Sequence, residues 1–315
     1  MKGEKKGRFW QEARGLAGVF LLFLAAFFLP SRVLAQAGAG FSVSPPTFEM
    51  AANPGDVLAN TVRVENLSDT ATTISVDRRN FTALGEEGAV GLTEEETSFS
   101  LASWISVEPE VATIPPRQSH TFRFTISVPQ NAEPGGHFGS LVFKTGGAKP
   151  EQTGAAVAQE VAALVLLRVA GKTEEAASLA GFSTKNFWEY GPVDFEIRAK
   201  NEGNVHLRPT GTITITNIFG QKVADLVVEP RNVLPGAVRK SIVSWPEKNL
   251  AGKYTATLYL TYGNQGKTLT ASTTFFAFPY KVGGLILIAL LAAGFLIWKG
   301  RRRIKAAFQV LFKGK

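Results

Sequence analysis

The sequence contains no cysteine, and it has only three histidines and two methionines among 315 residues. Without cysteine the chain cannot form disulfides, bind zinc through thiolates or use a thiol nucleophile. His120, His137 and His206 do not stand at metal-ligand spacing from one another or from a paired carboxylate. No phosphate-binding glycine loop and no nucleophilic-serine motif occurs. The sequence therefore predicts no cofactor, no metal site and no enzymatic activity, and its domains must rely on hydrophobic cores.

The net charge of +8 arises from the two ends of the chain. Of the 34 basic residues, six lie in the first 32 positions and seven follow Trp298, whereas only two of the 26 acidic residues lie in these segments. The middle of the chain therefore holds 21 basic and 24 acidic residues, a net charge of −3. Nucleic-acid-binding domains carry a basic face on the folded domain itself, so this distribution predicts no nucleic-acid partner.

The N-terminus has the pattern of a secretory signal peptide. Basic residues precede an apolar run at 16–29, and the small-residue triplet Ala35-Gln36-Ala37 follows. This combination predicts that residues 1–37 are removed after export. An uncleaved membrane helix is the alternative, and both interpretations place the following chain outside the cell.

Residues 282–298 carry no charge and predict a transmembrane helix, with Tyr280 and Trp298 as anchors at the two membrane interfaces. A buried core helix is the alternative, but it leaves the following arginines unexplained. Positive charge immediately after a span marks the cytoplasmic side, so we expect a single-pass type I protein of the cell membrane, with residues 299–315 as its cytoplasmic tail. The tail fits an amphipathic helix on the inner leaflet or a disordered end. Its arginines next to the span are Arg301, Arg302 and Arg303.

The exported part has the residue pattern of β-strands. Residues 122–128 and 193–197 alternate strictly between apolar and polar, and short turns rich in proline, glycine and asparagine separate such runs. Residues 161–169 are almost continuously apolar, which favours a central buried strand over a short helix. The sequence predicts an all-β fold of two tandem immunoglobulin-like β-sandwich domains followed by one transmembrane helix.

The two halves of this region repeat the same order of landmarks. Each has a strand that ends at an asparagine turn, then a proline turn, another strand closed by proline, a glycine turn and a further strand. The repeat places the first sandwich at 40–171 and the second at 172–278, with a mobile loop at 146–160; general β-sandwich punctuation is the alternative. The predicted structural turn residues are Pro54, Gly55, Asn66, Pro134, Gly135, Asn201, Asn204, Pro235 and Gly236.

Four residues are candidates for a binding surface: Trp104, His137, Phe138 and Trp188. His137 and Phe138 lie in a glycine-rich stretch that predicts a turn within reach of a ligand. The tryptophans, together with Trp245, fit core packing first, although an exposed ring stacks well on a sugar or anchors a protein partner.

One set of motifs extends over both halves: VSPP at 43–46, NPG at 53–55, WI at 104–105, the strand pair at 114–128, PGGHFG at 134–139, NEGNVHL at 201–207, residues 213–217, FG at 219–220 and LPG at 234–236. With these motifs the first half resembles DUF916, the first domain of the bacterial cell-surface family of WxL-interacting proteins, and is similar to pilus-chaperone-like immunoglobulin folds. The second half looks like the companion domain DUF3324, which a transmembrane helix and a basic tail also follow. This resemblance implies that the first domain contacts peptidoglycan and the second holds a secreted partner protein.

The sequence thus predicts a membrane-anchored extracellular scaffold that contacts cell-wall polymer, a secreted surface protein, or both. A chaperone-like accessory subunit of an envelope or secretion assembly is the first alternative, and it requires an unpaired, hydrophobic edge strand. A wall-modifying enzyme is the second, and it requires two facing carboxylates with raised pKa values across the domain junction.

Overall fold

A computed structural model describes residues 40–146 and 159–313 of the protein. These residues form two immunoglobulin-like β-sandwiches in tandem, followed by one long helix, so the predicted fold class is confirmed. The predicted signal peptide and the centre of the predicted loop at 146–160 lie outside the described residues.

The first sandwich has one sheet in the order β1-β3-β8-β6 and a second in the order β2-β10-β9-β4-β5, with β7 also paired to β4. The apolar run at 161–169 is strand β10, which pairs with β9 on one side and with β2 on the other, as a central strand should. The strands are β1 (Phe41–Ser44), β2 (Thr47–Ala52), β3 (Val57–Asn66), β4 (Thr72–Leu84), β5 (Ala89–Thr93), β6 (Ile105–Glu108), β7 (Val111–Ile114), β8 (Ser119–Ser127), β9 (Gly135–Thr145) and β10 (Glu160–Val169).

The second sandwich repeats this plan with fewer strands. Its sheets have the orders β11-β13-β16 and β12-β18-β17-β14-β15, and the parallel pair β12/β18 corresponds to the parallel pair β2/β10. The strands are β11 (Ala177–Ser183), β12 (Phe187–Trp188), β13 (Val193–Asn201), β14 (Thr210–Asn217), β15 (Lys222–Val228), β16 (Val238–Trp245), β17 (Gly252–Tyr262) and β18 (Lys267–Ala277).

Two buried asparagines occupy equivalent places in the sandwiches. Asn66 ends β3 and donates its side-chain amide to the carbonyls of Thr70 (2.8 Å) and Ile114 (3.0 Å). Asn201 ends β13 and donates to the carbonyls of Val205 (2.7 Å) and Val233 (2.8 Å). In each case the second carbonyl lies just before the proline turn. The asparagines that repeat in the sequence therefore form equivalent hydrogen bonds in the two sandwiches.

Each sandwich has its own core, formed by the inward residues of alternating strands. Phe122, Phe124 and Phe143 are fully buried in the first core, and Phe195 and Phe275 in the second. Burying one such side chain contributes roughly 1.5–3 kcal/mol, which is how these domains dispense with disulfides.

A single helix, α1 (Tyr280–Lys313), follows the last strand after two residues. Its segment Tyr280–Gly300 has 21 residues, a mean hydropathy of 2.2 and no burial against the sandwiches. At about 1.5 Å per residue the segment is roughly 32 Å long, which suits a bilayer core of about 30 Å. The alternative of a buried core helix is therefore wrong. The helix continues through Arg301, Arg302 and Arg303, so the described part of the basic tail is helical.

Candidate functional site

The structure encloses the candidate residues of the first sandwich. His137 lies in strand β9 and not in a turn, and its side chain is 3% exposed. Its ring nitrogens lie 3.2 Å from the Ser100 carbonyl and 2.9 Å from the Glu133 carbonyl, and its ring packs 4.4 Å from the half-buried Trp104. The expectation of a turn within reach of a ligand is thus corrected, because β9 is covered on both of its faces.

Phe138 and Trp188 are also packed against protein. Phe138 is buried at the junction of the two sandwiches, whereas Trp188 lies at the edge of the second core and donates its indole N–H to Thr184 at 3.2 Å. Trp245 is a core residue of the second sandwich. The structure therefore brings His137, Trp104 and Phe138 into one region and leaves Trp188 apart; a binding role for these residues stays a prediction.

On one side of the junction, the β4–β5 hairpin of the first sandwich contacts the neighbouring strands β13 and β16 of the second. Arg198 donates two hydrogen bonds to the Glu86 carboxylate, at 2.5 and 2.7 Å, and Lys240 forms an ion pair with Glu87. The backbone N–H of Lys240 donates to the Glu86 carbonyl at 2.8 Å. These contacts cap part of the β16 edge and fix the hairpin against the second domain.

The opposite side of the junction is held by Asn204 and Glu49. The Gly136 N–H donates to the Asn204 carbonyl at 2.7 Å, and the Asn204 side chain donates to the Pro134 carbonyl at 3.2 Å. The Glu49 carboxylate accepts from Asn232 at 2.7 Å and from Arg208 at 3.3 Å. With the hairpin contacts, this gives the junction polar clamps on both sides of an apolar centre.

A cavity of about 220 Å³ lies between these clamps. Its floor belongs to an apolar cluster in which Phe138, Phe81 and Leu166 of the first sandwich meet Leu234 of the second. Leu234 stands one residue after Val233, where the first repeat has proline after Ile114. The leucine in place of proline was the one sign in the sequence that a side chain of the second domain contacts the first domain.

The rim of the cavity is basic and has unmatched polar atoms. Arg231 and Arg239 both line it. Within the described part of the chain, the buried Nε of Arg239 and the buried Oδ1 of Asn232 have no hydrogen-bond partner. The Arg239 guanidinium fills the space where a side chain at Gly88 would stand, 1.5 Å from the position of its Cβ. Both atoms are themselves enclosed by protein, so what the cavity presents is a basic rim above an apolar floor.

Two titratable groups respond to this environment. Burial lowers the pKa of Arg239, and the neighbouring Arg231 lowers it further. Burial also lowers the pKa of His206, whose ring packs against Phe138 with centroids 6.1 Å apart. Arg239 nevertheless stays protonated, whereas the lowered pKa keeps His206 mainly neutral at pH 7.

The acids at the junction are engaged in ion pairs. The pKa of Glu86 lies below its usual value because Arg198 donates hydrogen bonds to the carboxylate. A wall-modifying enzyme would need a carboxyl with a raised pKa here. Among the described residues, no group of three His, Asp or Glu side chains is placed to hold a metal ion. Glu86 therefore shows the opposite of the pKa shift that a general acid at this junction requires.

The outer face of the sheet β12-β18-β17-β14-β15 is a second candidate surface, which we call the threonine face. The strand register puts Thr212, Thr257, Thr270 and Ser272 side by side around Tyr259, whose side chain is 52% exposed. The face also contains Thr214, Thr216, Thr255, Thr261, Thr268 and Thr274. Solvated sheet faces generally carry charges of both signs, whereas the centre of this one is neutral and rich in hydroxyl groups.

The second sandwich also has an open sheet edge. Strand β15 pairs with β14 only, and its Val227 and Val223 are exposed. Lys222 and Asp225 on the same strand form an ion pair at 2.7 Å. Such an edge is able to accept or donate a strand, although its charged pair reduces nonspecific association.

No protein-family model matches the sequence, and no curated protein matches it. Among solved structures, the class 5 fimbriae chaperone CfaA is similar, with 14% identity and a TM-score of 0.42 over 75% of this chain and 99% of that chain. The Pseudomonas aeruginosa CupB2 chaperone has 11% identity and a TM-score of 0.35, over 74% of this chain and 100% of that chain. A structure of the Salmonella enterica SafA pilin in complex with the SafB chaperone gives 10% identity and 0.37, over 75% and 96%. Likeness at this level concerns the fold alone and identifies no binding residue.

Proposed function

We propose that this protein is a membrane-anchored surface protein that binds a partner protein in the cleft between its two sandwiches. The observation that carries the proposal is the cavity at the junction, with its apolar floor and its two arginines. A guanidinium presents several N–H donors in a fixed arrangement, so a ligand with acceptor groups gains affinity there.

The chemistry of the cavity favours a peptide segment. Each peptide unit brings a carbonyl that accepts from the guanidinium of Arg231 or Arg239, while an apolar side chain fits the floor at Leu166 and Leu234. A volume of about 220 Å³ is below that of pockets for drug-sized molecules, roughly 300–1,000 Å³. It admits one large side chain of a partner, in the manner of an interface anchor.

The proposed location follows from the helix and the charges around it. Segment Tyr280–Gly300 spans the membrane once, and Arg301, Arg302 and Arg303 keep its far end in the cytoplasm. Both sandwiches then stand outside, close to the bilayer. Confinement to this layer raises the effective concentration of the cleft toward other surface proteins.

Co-purification from the native host, after cross-linking on intact cells, tests the proposal. Ala83→Trp fills the cavity and Arg239→Gln removes its rim charge; Arg63→Gln, on an exposed strand of the first sandwich, is the matched control. We expect one protein to be recovered with the wild type and the control and to be lost from both cleft variants. Equal recovery with all four chains would refute the proposal.

The threonine face favours a second candidate function, contact with cell-wall glycan, although the family resemblance assigns that contact to the first sandwich and not to the second. Hydroxyl rows donate and accept hydrogen bonds as sugars do, and Tyr259 offers a ring for stacking. Co-sedimentation with purified walls tests it. Tyr259→Ala should release the protein from the walls, and the control Val111→Ala, on the first sandwich, should not. Wall binding that both variants retain excludes the candidate function.

The chaperone-like alternative is favoured by the unpaired edge of β15. In that case a client strand would add beside Val223 and Val227. Val227→Pro leaves the sheet intact only because β15 is an edge strand, and it would block such addition. Retention of the partner by this variant, together with loss from the cleft variants, assigns binding to the cleft.

A further inference from the structure

The end of the second sandwich nearest the helix exposes a set of large apolar side chains. Strand β18 ends at Ala277, and only Phe278 and Pro279 separate it from the helix. In the register, Ala277 stands opposite Gly252, Tyr254 is paired with Asn217, and the β14–β15 turn follows at once. This turn therefore lies at the helix end of the domain, two strands from β18, or roughly 10 Å to the side.

The β14–β15 turn presents apolar residues at its tip. Phe219 is 83% exposed and Ile218 is 67% exposed. The exposed side chains around them at the same end of the domain are Phe187, Tyr190, Phe276 and Phe278. Such a group of exposed aromatic residues marks an interaction surface.

Three backbone N–H groups of the turn already have hydrogen-bond partners within the turn. The Asn217 side-chain oxygen accepts from the N–H groups of Phe219 and Gln221, each at 3.0 Å, and the Asn217 carbonyl accepts from Gly220 at 2.9 Å. Gly220 permits this geometry with a φ of 74°. A turn with internally paired N–H groups can enter an apolar environment without leaving those donors unsatisfied.

Basic residues surround the apolar tip. Lys222 follows it, and Lys253 lies over the ring of Phe276 at 5.8 Å. Lys281, in the first turn of the helix, pairs with Glu189 at 2.8 Å and ties the helix to the domain. Aromatic rings backed by lysine are the combination that resides at the headgroup level of a bilayer.

We propose that the second sandwich sits directly on the outer surface of the bilayer its own helix crosses, with Ile218 and Phe219 inserted at the boundary of headgroups and acyl chains. Phe187, Phe276 and Phe278 lie in the same layer, and Lys253 contacts lipid phosphates. The inference rests on the membrane anchoring proposed above. The domain is then held in one orientation, and the first sandwich and the cleft project away from the membrane.

Spin labelling tests this, since a chain without cysteine accepts single labels cleanly. The full chain in nanodiscs of phosphatidylcholine and phosphatidylglycerol would carry Ile218→Cys, with Gln265→Cys in the turn at the opposite end of the same sheet as the matched control. Collisions with oxygen, which enters lipid, and with a water-soluble nickel complex report depth. We expect oxygen to dominate for the label at 218 and nickel for the label at 265.

A third label, Leu290→Cys in the middle of the helix, separates the two proposals. Oxygen-dominated collisions at 290 with nickel-dominated collisions at 218 would overturn the seating of the domain and leave the anchoring intact. Nickel-dominated collisions at 290 would overturn both. A fourth chain combines the label at 218 with Phe219→Asp, which places a charge at the tip. We expect its nickel collision rate to rise severalfold over that of the label at 218 alone. An unchanged collision rate also contradicts the insertion of this tip.

Discussion

The two sandwiches share a strand order but differ in what their larger sheets face. In the first, the outward residues Phe138, Ser140 and Val142 of β9 are buried. In the second, the equivalent β17 carries Thr255 and the exposed Tyr259 at the corresponding outward positions. Both strands begin at a glycine with positive φ, Gly135 and Gly252, which fixes the correspondence. The same fold thus has one covered face and one open face.

The two sandwiches therefore share one fold but present different surfaces to other molecules. Where the second sandwich covers part of the outer face of the first, it places Leu234 against Phe138 and leaves a cavity beside the contact. Within residues 40–146 and 159–313, no further sandwich covers the corresponding threonine face. Contacts with other molecules are therefore expected at the incomplete junction and on the uncovered sheet, and the predictions below probe this contrast.

The largest effect is expected from a charge on the covered face. Phe138→Asp should lower the free energy of unfolding by about 3–5 kcal/mol, because a buried ring is lost and a carboxylate is placed in an apolar cluster. Thr255→Asp, at the equivalent open position, should change it by less than about 0.5 kcal/mol. Urea unfolding of the full chain in detergent, followed by tryptophan fluorescence, measures both. Similar losses would contradict the contrast between the faces.

The second effect tests what the two copies share. Asn66→Ala leaves three carbonyls and Asn201→Ala leaves two without their side-chain donor, and each change should cost about 2–4 kcal/mol. The same unfolding experiment applies, with Asn66→Asp and Asn201→Asp as variants that keep the accepting oxygen. A large cost in one sandwich alone would show that the asparagines are not equivalent.

The third effect concerns pH at the junction. The pKa of His206 is lowered in the folded protein, so the unfolded chain binds a proton more readily below its usual pKa of about 6.5. The contribution of His206 to the free energy of unfolding is therefore fully present above this pH, and it declines as the pH falls through 6.5 toward the lowered pKa. We expect the unfolding temperature to drop between pH 7.5 and pH 5.5, and to drop less in His206→Asn. Identical pH profiles would contradict the assignment.

The smallest effect is expected at the hairpin clamp. Arg198 lowers the pKa of Glu86, so the ion pair contributes above the usual carboxyl pKa of about 4.3 and is lost as the pH falls through the lowered value. Glu86→Gln should barely move the unfolding midpoint, because both partners are solvent-accessible. It should speed hydrogen exchange of the Lys240 amide, which donates to the Glu86 carbonyl. Unchanged exchange there would show that the clamp does not depend on the ion pair.

Local patterns in the sequence were sufficient for the strands and the helix. The alternation at 122–128 reflects one buried and one open face of β8, and the asparagine landmarks reflect their buried hydrogen bonds. His137 was misplaced because the glycine-rich stretch continues as strand β9, and Ser100, Glu133 and Trp104 of the same sandwich enclose its ring. The cleft was missed because it depends on a contact between domains, in which Arg239 approaches Gly88 from far along the chain.

Site-specific photo-cross-linking tests the central claim, that a partner protein occupies the cleft. A photoreactive phenylalanine analogue would replace Ala83 in the cleft, Thr257 on the threonine face or Thr61 on the opposite sheet of the first sandwich, in full-length protein on living cells. We predict one defined protein adduct at 83 and none at 61 or 257. Adducts at 61 or 257 equal to those at 83, or none at 83, would contradict the assignment of the cleft.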